Sequence, residues 1–147
     1  AAFNGVKYVV KTPKLYFTDT GLAAYLLRWS AADALELGAM SAEFFETWVI
    51  NEVYKSYAAS GEKVPLYYYR NFNGKEIELL ILRNGVLYPC VIAKSAQPQK
   101  MYKRFNIVNP AFAAYGDVQL GGGSLFCLAP EFGTDAKNIL YIPAWMI

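Results

Sequence analysis

Apolar residues along this chain follow a helical period in its first half and a period of two in its middle. From Ser41 the stretch SAEFFETWVINEVYKSYAAS sets Phe45, Val49, Val53 and Tyr57 four apart, with Phe44 and Trp48 beside them, and ends at Gly61. That spacing stacks an apolar stripe on one helix face and predicts a helix here. Ahead of it, Val6 to Val10 is a β-branched run, and Leu15-Tyr16-Phe17 reads as extended chain after the irregularity at Pro13. Leu22 to Leu27 is expected to be a short helix that Asp19 or Thr20 can cap. Ser30 to Leu37 is expected to be another, stopped by Gly38.

The pattern then changes. Leu66 to Arg70, Glu76 to Leu82 and Val86 to Ala93 are strand-like runs separated by Asn73-Gly74 and Asn84-Gly85. Asn-Gly suits the positive φ angles of type I′ turns, so a three-stranded antiparallel meander is expected. A polar helical segment follows from Gln97 to Val108, stopped near Pro110. Asp117 to Leu120, the turn Gly121-Gly122-Gly123-Ser124, and Leu125 to Leu128 read as a further hairpin, and Ile139 to Ile147 as a closing strand. Helix, meander, helix and strand in that order give an α+β fold with helices covering a mixed sheet. Residues 1–40 form a strand and helical prelude, and residues 41–147 the core.

Composition narrows the chemistry. The 147 residues contain no histidine, which removes imidazole bases, Ser-His-Asp and Cys-His nucleophiles and His-containing zinc sites. Cys90 and Cys127 lie in apolar runs without Cys-x-x-Cys spacing and read as reduced, buried thiols, consistent with a cytoplasmic setting. No apolar run is long enough to span a membrane and no signal peptide is visible. The glycines at 121–123 lack the spacing of a P-loop, so no nucleotide site is encoded. The chain opens Ala1-Ala2-Phe3 close to a strand-like run, which reads as a piece of a longer protein; a processed N-terminus is the other reading.

The net charge of +2 conceals two blocks of opposite sign. Asp33, Glu36, Glu43, Glu46 and Glu52 lie between Trp29 and Tyr54 with no base among them, whereas Arg83, Lys94, Lys100, Lys103 and Arg104 lie between Leu79 and Gly116 with no acid. One reading is solvated faces; the other is a basic patch for phosphates or an acidic partner, because Lys100, Lys103 and Arg104 would share one side of a helix. Of the carboxylates, Glu46, Glu76 and Glu78 raise a functional question. Strict alternation puts Glu76 and Glu78 on one strand face with Leu80 and Leu82, against Ile77, Leu79 and Ile81. A carboxylate leading into an apolar face needs a partner, a metal or a raised pKa. The alternative is a solvated strand end paired with Lys75 or Arg70.

Several segments carry a family resemblance: Lys14-Leu15-Tyr16-Phe17-Thr18-Asp19-Thr20-Gly21-Leu22, Phe45-Glu46-Thr47-Trp48-Val49-Ile50-Asn51-Glu52, Tyr68-Tyr69-Arg70, Gly74-Lys75-Glu76-Ile77-Glu78-Leu79-Leu80 and Leu87-Tyr88-Pro89. In this order they resemble the C-terminal domain of unknown function of bacterial and archaeal AAA+-type ATP-binding proteins. That domain is similar to the PD-(D/E)XK, or restriction-endonuclease-like, nuclease superfamily. The resemblance implies a missing N-terminal ATPase module, with its ATP and Mg²⁺, as partner. It also implies a nuclease-like core in which a helix glutamate, a strand aspartate and a Glu-x-Lys pair hold Mg²⁺.

Carried over, the helix position is Glu46, the strand position is Glu78 in place of Asp, and the Glu-x-Lys pair falls on Val91 and Ala93. Val91 offers no ligand and Ala93 no cation, and Lys94 next door points to the opposite strand face. Glu46 and Glu78 alone would hold Mg²⁺ weakly. The expectation is therefore a nuclease-like scaffold without chemistry, a module binding nucleic acid through Lys94, Lys100, Lys103 and Arg104 or binding protein. The alternative functions are a residual Mg²⁺-dependent DNA or RNA nuclease using Glu46, Glu78 and Lys94, and self-association into a homo-oligomer.

Overall fold

The computed structural model describes residues 13–71, 73–108, 119–135 and 137–147. The expected strand at Val6 to Val10, the stop near Pro110 and the start of the expected hairpin at Asp117 lie outside them. Three α-helices open the described chain: α1 (Thr20–Leu26), α2 (Ala32–Leu37) and α3 (Ser41–Ala59). The Asp19 carboxylate accepts the Leu22 N–H at 2.9 Å and caps α1, one of the two candidates the sequence offered. Strands β1 (Leu66–Arg70), β2 (Glu76–Arg83) and β3 (Val86–Ile92) form the expected antiparallel meander. The Asn84-Gly85 turn has φ of 52° and 78°, as a type I′ turn requires. The first connection is different. There the Asn71 side chain accepts the N–H groups of Asn73 and Lys75, and only Gly74 of that Asn-Gly pair is left-handed.

After β3, a 3₁₀ helix (Pro98–Ile107) crosses over to β5 (Ser124–Cys127), which pairs parallel to β3; β7 (Leu140–Pro143) then pairs parallel to β5. The sheet order is β1-β2-β3-β5-β7-β6, with β6 (Gly133–Thr134) antiparallel at one edge and β4 (Gln119–Leu120) running parallel beside β3. The hairpin expected on either side of Gly121–Ser124 is thus absent: β4 and β5 both add to β3 in the same direction. The glycines serve packing there. A Cβ on Gly123 would stand 2.7 Å from the Phe105 ring, and one on Gly121 2.5 Å from that of Tyr88. The tail forms a strand only through Pro143 and then turns into one short 3₁₀ turn, Ala144–Met146.

Two apolar layers hold the sheet. Against α3 lie Val49, Ile50 and Val53 with Leu79, Cys90, Ile92 and Phe126; on the opposite face, under the 3₁₀ helix, lie Ile77, Leu80, Leu87, Val91, Leu125 and Cys127. Phe45, Trp48 and Tyr57 flank the α3 layer as the helical spacing predicts, while Phe44 packs on Trp29 with ring centres 5.4 Å apart and planes tilted by 37°. Both cysteines are free and buried, and burial pushes the Cys90 thiol up to about 12. Among the described residues no helix is long and apolar enough to cross a membrane. The α+β class follows directly from these layers.

Membership of β2 in both layers corrects the strict alternation. Tyr67 faces Leu80 but Tyr69 faces Ile77, so three steps on β2 oppose two on β1. This bulge inserts one residue at Glu78–Leu79 and moves Ile77 onto the face of Leu80 and Leu82. It also separates the roles of Glu76 and Glu78.

Candidate functional site

Glu46 projects from α3 into a mixed-charge cluster. Its Oε1 accepts from Lys14 Nζ at 2.8 Å and from the Tyr16 hydroxyl at 2.9 Å. Lys14 also donates to Glu76 Oε1, and Glu76 Oε2 accepts from Arg70 Nε at 2.8 Å, its cross-strand neighbour on β1. The Lys14 ammonium sits 5.5 Å from the ring centres of both Tyr16 and Tyr68, inside cation–π range. One ammonium therefore bridges a helix carboxylate and a strand carboxylate. The segment carrying Lys14 is pinned by Asn51 on α3, only 6% exposed, whose Nδ2 donates to the Phe17 carbonyl at 2.5 Å.

Protonation follows from this geometry. Burial alone would lower the Lys14 pKa, but the bonds to Glu46 and Glu76 more than reverse that and hold it above the usual lysine range. Burial would raise Glu76, yet Lys14 and Arg70 together hold its carboxyl below the ordinary glutamate value. The Tyr16 phenol is pushed up by burial and by the Glu46 carboxylate, against the pull of Lys14. Glu76 is therefore ionised, and Lys14 and Tyr16 are protonated, near neutral pH.

Glu78 belongs to a second arrangement. It is 7% exposed, and its Oε2 accepts the Ile92 N–H at 3.0 Å beyond the last β2–β3 pair, Leu79 with Cys90. The carboxylate thus takes the place of a ladder carbonyl where the β2–β3 pairing ends. Arg104 reaches in from the 3₁₀ helix: its Nη2 donates to Glu78 Oε1 and, at 3.0 Å, to the Glu76 carbonyl, and its Nη1 to the Ile92 carbonyl at 3.4 Å. The guanidinium satisfies carbonyls of both strands as well as the acid. Burial raises the Glu78 carboxyl above its ordinary value, against the Ile92 N–H and Arg104.

The five residues of the nuclease-like pattern do not line one pocket. Glu46 and Glu78 lie in separate clusters; Val91 is fully buried in the layer under the 3₁₀ helix and Ala93 packs on the same layer. Lys94 lies on the α-helical side, donating to the Glu36 carbonyl at 2.7 Å and the Ser41 hydroxyl at 2.9 Å, where it joins α2 to α3. The carboxylate brought to Glu46 is Glu76, through Lys14. A Mg²⁺ shared by Glu46 and Glu78 does not fit these residues, because both Glu78 oxygens already accept, from Arg104 and the Ile92 N–H, and Glu46 Oε1 accepts from Lys14 and Tyr16. Among the described residues no three Asp, Glu, Cys or His side chains are placed to hold a metal.

The basic block is also divided. With three residues per turn, the 3₁₀ helix exposes the row Lys100, Lys103 and Asn106 and turns Met101, Tyr102, Phe105 and Arg104 inward. Arg104 therefore does not share the side of Lys100 and Lys103, as a helix of 3.6 residues per turn would have it. With Lys94 also engaged, two of the four nominated cations remain on the surface. Two surface depressions are lined by Tyr25, Leu26, Arg28 and Ser30, and by residues of α1 and α3 around Phe17 and Phe44; neither is lined by Glu46, Glu76 or Glu78.

Lys14, Tyr16, Asn51 and Arg104 carry the two clusters, and sequence reasoning assigned the first three no role and Arg104 a surface one. Lys14 and Tyr16 do stand in a quoted motif segment, but their bonds to Glu46 span 32 and 30 residues and that from Lys14 to Glu76 spans 62. Comparison with curated proteins and with solved structures finds no match. Residues 42–121, more than half of the chain and covering α3 from its second residue, the meander and the 3₁₀ helix, match the model of the domain of unknown function DUF4143, and the chain belongs to that family.

Proposed function

We propose that this chain is a non-catalytic, nuclease-like interaction module serving an ATP-binding module of the AAA+ type. The observation that carries this reading is that both nominated carboxylates, Glu46 and Glu78, are neutralised by cations of the chain itself, Lys14 and Arg104. A carboxylate committed to an internal ammonium or guanidinium is a poor metal ligand, and without a bridging metal no group here activates water for phosphodiester hydrolysis. The order helix, meander, helix, strand supports kinship with the PD-(D/E)XK core, and the family match supports association with an ATPase.

Protein is the favoured partner over nucleic acid. Lys100 and Lys103 alone would release counterions worth a log–log salt slope of about −1.8 on duplex DNA, too little for firm binding at cellular salt. The reading is tested by incubating the purified chain with supercoiled plasmid and Mg²⁺ or Mn²⁺, beside Glu46→Gln and Glu78→Ala. No cleavage above either variant is expected. Cleavage by the wild type that both variants lose would overturn the reading in favour of a residual nuclease.

A further inference from the structure

Helix α1 is turned inside out. Its two alanines, Ala23 and Ala24, are its buried residues, while Leu22, Tyr25 and Leu26 are 50%, 77% and 61% exposed and Leu27 beyond it 48%. Burying each such side chain is worth on the order of 1.5–3 kcal/mol, so this arrangement leaves a large apolar contribution unused. Beside it, a groove of about 290 Å³ lies between α1 and α3, lined by Phe17, Leu26, Leu27, Met40 and Phe44 together with Glu43.

We infer that this groove receives a basic amphipathic helix of a protein partner, an inference that rests on the interaction-module reading and names its surface. The groove between two helices fits a helix laying down apolar anchors at i, i+3, i+4 and i+7. Charge identifies the partner's sign. Glu43 is the one charged residue among those lining the groove, and Asp19 sits at the end of α1 next to the lining residue Thr20. No base is among the lining residues: Lys14 is held by Glu46 and Glu76, Lys94 donates to the Glu36 carbonyl and the Ser41 hydroxyl, and Arg28 lines the neighbouring depression. A second copy is the poorer occupant, because a two-fold contact sets the same patch against itself, and no residue lining that patch would bring a base to Glu43.

The test uses two synthetic helices of roughly four turns with the same leucine pattern, one otherwise lysine and one otherwise glutamate. Fluorescence anisotropy with the whole chain should show saturable binding of the Leu/Lys helix, about tenfold or more tighter than the Leu/Glu helix. Leu26→Lys should weaken it by a similar factor, and Glu43→Lys should reverse the preference; both positions are exposed, so the fold is retained. Equal affinity for the two helices, or unchanged binding in both variants, overturns the inference. So does a dimer in light scattering that Leu26→Lys abolishes, which would give the face to a second copy. Plasmid cleavage would sink the non-catalytic reading and leave these affinities untouched, whereas indifferent helices would sink the groove and leave that reading standing.

Discussion

The two charged clusters use the same ingredients to different ends. At the α3 edge, Lys14 is shared by Glu46 and Glu76, whose side chains keep 23% and 14% exposure, and Arg70 adds a second cation from a side chain that is 55% exposed. Between β2 and β3, Glu78 has one cation, Arg104, and its side chain keeps 8% exposure. The first cluster joins a segment to the sheet from outside, with water as a partial screen. The second stands in for missing backbone hydrogen bonds, so each of its groups covers another's desolvation. Loss of one partner should therefore cost far more in the second than in the first.

The largest effect expected is that of Arg104→Met. It leaves Glu78 buried without its cation and strips a donor from the Glu76 and Ile92 carbonyls, at about 3–5 kcal/mol in urea unfolding. Adding Glu78→Gln should recover part of that loss, since the amide needs no counter-charge; a double variant as unstable as the single one would show that the carbonyl bonds dominate. Lys14→Met should cost less, about 1–2 kcal/mol, because Arg70 still faces Glu76 and solvent reaches both acids. A loss equal to that of Arg104→Met would erase the distinction between the clusters.

The smallest and sharpest contrast is in pH. Glu76 has a lowered pKa in the folded chain, so it binds fewer protons there than when unfolded; its stabilisation is present above the ordinary value of 4.5 and is lost as pH falls through the folded pKa. Glu78 has a raised pKa, so the folded chain binds more protons, and stability falls as pH rises from 4.5 to the folded value. Glu76→Gln should flatten the stability curve below pH 4.5 and Glu78→Gln should flatten it above. Unfolding midpoints collected across that range check both, and matching slopes in the two variants would contradict the assignment.

Local chemistry made much of this fold legible in the sequence. The stripe Phe45, Val49, Val53 and Tyr57 could only be a helix face, Asp19 had the side chain and place of a cap, and Asn84-Gly85 accepts the two positive φ angles that fold β2 onto β3. These features are set within a few residues, where sterics and hydrogen bonding act without help from the rest of the chain. The absence of histidine and the poverty of Val91 and Ala93 as ligands were equally plain, since they depend on residue type alone.

What only the tertiary structure decided depends on distant segments meeting. The bulge at Glu78–Leu79 is a property of the pairing of β2 with β1, and alternation read along one strand does not contain it. Gly121 to Ser124 has turn composition, yet its glycines give room to the rings of Tyr88 and Phe105 while β4 and β5 run parallel to β3. The same holds for the charges. Sequence showed which residues carry them, but a Coulomb partner is chosen by distance, and folding alone brought Lys14 to Glu46 and Glu76 and turned Arg104 away from solvent to Glu78.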